Sequence, residues 1–170
     1  MKKLFTTLFL IPLATSLYAQ TPCDDLKSEN AQLKKDVVYL KETMQLLNSK
    51  VTSTIENIEF SINEVIGNKE TNEVEIIGIY KNLGAMKTFQ ARDAKLIDPQ
   101  GNQYQSYAIN LTEKRARVEN VRTDIPMKFS ILFKGIDSKT PQIRLLSLRL
   151  YSQQTKNAEG TFENIDINWK

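Results

Sequence analysis

The chain has 170 residues, a formal charge of +3 and no histidine. Without histidine it lacks the commonest general base, the Ser–His triads and the usual zinc ligands. Its single cysteine cannot build a structural zinc or iron–sulfur site, and neither a GxGxxG nor a P-loop run occurs among its six glycines.

Met1, Lys2 and Lys3 form a short basic start, LFTTLFLIPLA is an apolar run, and TSLYAQ follows it. These are the marks of a secretory signal peptide over residues 1–19, cut after Ala19. The run is too short to cross ~30 Å of hydrocarbon, and Pro12 interrupts it, which argues against a retained anchor. Gln20, Thr21 and Pro22 are poor neighbours for lipid attachment at Cys23. Removing the segment takes away two lysines and lowers the formal charge to +1. That leaves no electrostatic reason to expect nucleic acid as a partner. The expected location is periplasmic or secreted, with no membrane span once the signal is gone.

Residues 20–54 are predicted to form a coiled-coil helix. Leu26, Leu33, Leu40 and Leu47 recur at intervals of seven, and as heptad position d they place Asn30, Val37, Met44 and Val51 at position a. Leucine at d with valine at a favours two parallel strands, and one asparagine at a fixes register at some cost in stability. Glu29 faces Lys34 of a partner helix, and Asp36 faces Lys41, so both cross-helix pairs attract in a parallel homodimer. A trimer stays open. An alternative is a helix docked on its own globular domain, but such a helix normally carries a wider apolar stripe. Here Lys27, Lys34, Lys35, Lys41 and Asn48 flank the seam.

The leucine repeat with Asn30 resembles the dimerisation helix of bZIP transcription factors. A basic region precedes such zippers, and TPCDD stands in its place, so DNA binding does not carry over. An odd cysteine in an oxidising compartment points to an interchain bond or a free thiol. Two copies of Cys23 would face each other at the mouth of a parallel coil, which makes it the candidate for an interchain disulfide.

Beyond the helix the pattern changes period, and residues 55–170 are predicted to form a β-sandwich domain of seven or eight strands. IENIEFSINEV reads as a first strand. EVEIIGIYKN is a second, with Val74 and Ile76 opposite Ile77 and Ile79. KTFQARDAKLID runs into DPQGN, where Asp98, Pro99 and Gly101 suit a type I turn, and NQYQSYAIN returns as a hairpin. RARVENV is a shorter strand. In IPMKFSILFKGI, Ile125, Met127, Phe129, Ile131 and Phe133 share one face. IRLLSLRLYS and FENIDINW close the domain, the latter with Ile165, Ile167 and Trp169 on one side. The expected class is mainly β, an antiparallel sandwich behind an N-terminal coiled-coil helix.

EVEIIGIYKNLG, ARDAKLIDPQGNQY and DIPMKFSILFKGI together resemble the immunoglobulin-like β-sandwich of small exported bacterial proteins of unassigned function. The resemblance covers roughly Glu73 to Lys170 and implies the fold alone, because the immunoglobulin-type cysteine pair is missing.

Chemistry-bearing candidates are few. Asp93, Asp98, Glu113 and Glu119 could supply a glycosidase-type carboxylate pair, but they are spread over strand and turn positions. Asp98 and Asn102 lack the dense acidic loop of a calcium site. Lys114, Arg115, Arg117 and Arg122 form a basic run, with Arg115 and Arg117 expected on one solvated strand face. Tyr104, Tyr107 and Tyr151 could line a carbohydrate-stacking face or sit half-buried in a sheet. No catalytic residue, cofactor or metal is expected. The expected function is a non-catalytic exported interaction module: a coiled-coil homodimer presenting two sandwich domains to an envelope or extracellular protein or glycan. The alternative is a glycan- or peptide-binding domain with the helix as a spacer.

Overall fold

The computed structural model describes residues 21–47, 51–153 and 156–170, with the side chains of 21–24 and 41–47 outside the description. The expected signal peptide, residues 1–19, lies outside the described residues. The chain divides into two compact units, residues 1–41 and 42–170.

Helix α1 (Thr21–Leu47) is the only helix among the described residues. Pro22 falls in its first turn, where no intrahelical N–H is needed, and Asp25 suits the positive end of the macrodipole. Farther along, the Gln32 side-chain amide donates to Asp36 Oδ1 at 3.0 Å, one turn away. The helix is shorter than the sequence predicts. Val51 opens strand β1 (Val51–Ile55) and pairs with Ile62, so it is a sheet residue and not the last a position of a coil. β-branched Val51, Thr52, Thr54 and Ile55 suit a pleated edge better than a helix turn.

Ten further strands follow: β2 (Ile58–Asn68), β3 (Glu73–Asn82), β4 (Lys87–Ile97), β5 (Gln103–Ser106), β6 (Ile109–Asn110), β7 (Arg117–Val121), β8 (Met127–Lys134), β9 (Gln142–Ser152), β10 (Ala158–Asp166) and β11 (Asn168–Trp169). They form two sheets that are antiparallel except for one short parallel pair. The first has the order β1-β2-β3-β8-β6, with β11 running parallel beside β2. In the second the order is β10-β9-β4-β5, with β7 also on β4. β5 pairs with residues 94–97 of β4 and β7 with residues 87–90, so two short strands share one edge.

The segment expected as a single first strand is a hairpin. Glu56 and Asn57 have φ of 49° and 62°, the left-handed pair that a tight two-residue turn requires, and Ile55 pairs with Ile58 across it. The expected return of NQYQSYAIN is split, because β5 stays beside β4 while Ile109 and Asn110 pair with β8 of the other sheet.

Both sheets contribute to one core. Alternation buries Phe129, Ile131 and Phe133 on β8, Val74 and Ile76 on β3, and Leu146, Leu148 and Leu150 on β9. Ile125, expected on the same face as Phe129, precedes the strand and is exposed. Aromatic rings pack along the first sheet and across to the second. Phe60 meets Phe129 edge-on at 5.4 Å, and Tyr80 of the first sheet meets Phe89 of the second at 5.5 Å. The Tyr80 hydroxyl donates to Leu111 O at 2.9 Å, and burial pushes its pKa up to about 12. At the C-terminal end the Trp169 ring lies over Gly67, in space that any β-carbon there would need. The Trp169 indole N–H donates to Thr140 O at 2.6 Å.

Candidate functional site

The helix carries the first candidate surface. Leu26, Asn30, Leu33, Val37 and Leu40 are all exposed on α1, with Leu26 at 64% and Leu40 at 57%. Of the other members of the expected assembly set, Cys23, Met44 and Leu47 have side chains outside the described residues, and Val51 lies on β1. Val38 and Tyr39 are exposed as well, and they fall outside the seven-residue repeat. A pattern search that follows only every third or fourth residue passes over them.

In the β domain the four candidate carboxylates do not converge. Glu113 and Glu119 are exposed, whereas Asp93 and Asp98 are each 1% exposed and fully engaged. Asp93 lies at a bulge in β4, where Ala91 pairs with Leu150 and Asp93 with Arg149, leaving Arg92 as the extra residue. The Arg149 guanidinium donates from Nε and Nη2 to the two Asp93 oxygens, both at 2.5 Å, and Gln105 Nε2 donates to Oδ2 at 2.7 Å. These contacts hold the Asp93 carboxyl below its ordinary range, with Arg149 the largest cause and burial opposing it. Freed from the ladder, Arg92 extends outward and lies over the Tyr151 ring at 5.9 Å.

Asp98 organises the β4–β5 turn. Gly101 N donates to Asp98 O at 3.1 Å, as the DPQGN reading expects, and Gly101 takes φ of 88°. The Asp98 carboxylate accepts from the backbone N of Gln100 and Asn102 at 2.9 Å and from Asn102 Nδ2 at 2.8 Å. Burial pushes this carboxyl up, but the hydrogen bonds from Asn102, Gln100 and Tyr104 outweigh it and leave it below the usual carboxylate range. Tyr104 is thereby a half-buried partner of Asp98 and no stacking platform, while Tyr107 and Tyr151 are exposed.

The basic run is not one strand. Thr112 and Arg115 bridge each other in a tight turn in which Lys114 has φ of 58°, so only Arg117 of the expected pair belongs to β7. Arg117 Nε donates to Glu119 Oε1 at 3.1 Å, which offsets its charge.

The sequence gives little sign of a groove that runs over the first half of β4. There Lys87 pairs with Val121 and Phe89 with Val118, so Thr88 faces two residues, Glu119 and Asn120. Asn120 takes φ of 54°, and its N–H donates to Thr88 Oγ1 at 3.4 Å. This bulge opens a depression of about 380 Å³ bounded by Met86, Thr88, Arg117, Asn120 and Gln153. A second hollow of about 200 Å³ shares Thr88, Arg117 and Gln153 with it and reaches Gln90 and Tyr151. In the sequence the sign of it is Asn120, a polar residue where the alternation of RARVENV would place an apolar one.

No group of three or more metal-ligating side chains occurs among the described residues, and no described helix is long and apolar enough to cross a membrane. No family model, no curated protein and no solved structure matches this chain.

Proposed function

We propose that the protein is a non-catalytic exported interaction module. Two copies of α1 pair as a parallel coiled coil and present two β-sandwich domains to a partner in the envelope or outside the cell. The observation that carries this reading is the row Leu26, Leu33, Val37 and Leu40, each exposed on a 27-residue helix. A lone helix of this length is marginal in water, and covering the row with its own copy removes apolar surface from solvent. Asn30 within the row sets the register, and Cys23 ties the two chains at the mouth of the coil. Two linked domains then bind a repeated or surface-bound target with increased avidity. Export rests on the basic and apolar run of residues 1–19.

We further assign the sandwich to the immunoglobulin-like type. The orders β2-β3-β8-β6 and β10-β9-β4-β5 correspond to the A-B-E-D and G-F-C-C′ arrangements of that fold, and this correspondence supports the assignment.

Light scattering on the chain without residues 1–19, with and without reductant, tests the assembly. Twice the monomer mass in both conditions is the expected result, and three times the mass keeps the coil while replacing the dimer by a trimer. A dimer lost on reduction overturns the coil as the main tie and leaves Cys23 in its place. A monomer throughout overturns the proposal.

A further inference from the structure

The groove on β4, β7 and β9 has the chemistry of a carbohydrate site, and we propose that it binds a short neutral oligosaccharide. The proposal is independent of whether the helices pair. Three observations carry it.

The first is shape. Asn120 in its left-handed conformation sits at the β7 bulge, and the two hollows of about 380 and 200 Å³ meet at Thr88, Arg117 and Gln153, which line both. Their combined size falls within the range of small-ligand sites, ~300–1,000 Å³.

The second is the character of the lining. Gln90, Asn120 and Gln153 are exposed side-chain amides, each able to donate and accept, and Thr88 adds a hydroxyl. Sugar hydroxyls also donate and accept, so these amide groups can pair with them in both directions. Tyr151 forms one wall as an exposed aromatic ring, with the Arg92 guanidinium 5.9 Å from its centroid.

The third is charge, which separates a neutral sugar from a polyanion. Among the described lining residues, the cations Arg117 and Lys87 are both engaged within the protein: Arg117 pairs with Glu119, and Lys87 Nζ donates to Glu56 O at 2.5 Å. The Glu119 carboxylate beside Arg117 repels an anionic ligand, whereas a neutral polyhydroxyl ligand uses the Arg117–Glu119 pair as donor and acceptor together.

The test is a titration of the isotope-labelled protein with maltotriose, cellotriose and chitotriose, followed by amide chemical shifts. Saturable shifts centred on Thr88, Gln90, Arg117, Asn120 and Gln153 with at least one trisaccharide are expected. Affinity should fall at least tenfold in Tyr151→Ala and in Asn120→Gly. Glycine retains the positive φ, so Asn120→Gly removes the amide without refolding the bulge. No saturable shift with any of the three sugars overturns the proposal. So do shifts that survive both substitutions, or binding confined to a sulfated oligosaccharide and abolished by salt.

Discussion

Arg149 of β9 grips Asp93 of β4 with both prongs of its guanidinium, across 56 residues of sequence and at the point where a bulge breaks the β4–β9 register. The two partners are unequally exposed. The Asp93 side chain is 2% exposed and that of Arg149 is 38% exposed. Removing the arginine therefore strands a buried carboxylate, whereas neutralising the aspartate leaves a guanidinium that water can reach. Arg149→Leu should lower the urea midpoint more than Asp93→Asn does. Equal losses from the two substitutions would show that the pair positions the bulge without an electrostatic asymmetry.

The titration of three groups gives stability two pH limbs. Asp93 and Asp98 have folded-state pKa values below their ordinary ones, so their contribution is present above the unfolded value of about 3.9 and is lost as pH falls through the folded values. Tyr80 is shifted up to about 12, so its contribution is complete below the unfolded value of about 10 and is lost as pH rises toward 12. Urea midpoints measured across pH should fall below about 4 and above about 10. Asp98→Asn should flatten part of the acid limb, and Tyr80→Phe part of the alkaline one.

Tyr80 and Phe89 join the two sheets by ring contact, yet their truncations should differ in kind. Tyr80→Phe keeps the packing and leaves Leu111 O without its donor, at a cost of about 1–3 kcal/mol. Phe89→Ala opens a cavity between the layers and should cost about 3–5 kcal/mol. Chemical denaturation of both variants checks the order.

Gly67 gives its space to the only tryptophan in the chain. Gly67→Val should push the Trp169 ring off β2, break the short β11 pairing and destabilise by about 1–3 kcal/mol. Tryptophan emission should shift to the red and become open to quenching by iodide. An unchanged spectrum would mean that the ring finds another seat.

Asn30 is exposed on the helix at a position where a coil prefers β-branched or leucine side chains. If the helices pair as proposed, Asn30→Leu should raise the melting temperature of that dimer and broaden its mass to a mixture with trimer. Sedimentation velocity reads both species. An unchanged, homogeneous dimer would remove Asn30 from the setting of oligomeric state.

The sequence by itself determined the features that repeat along one segment. The sevenfold leucine spacing marks α1, and the alternation in MKFSILFK marks the buried face of β8, because helix and strand periods belong to a single stretch of chain. The DPQGN turn was legible for the same reason, since its hydrogen bonds close within five residues. Only the tertiary structure decided which strands became neighbours. It moved Val51 from helix to sheet by pairing it with Ile62, sent Ile109 to the opposite sheet from Tyr104, and set Arg149 against Asp93. The trough over Thr88 has the same origin: its walls come from β4, β7 and β9. Long-range pairing depends on the order in which strands close into sheets, and no local pattern encodes that order.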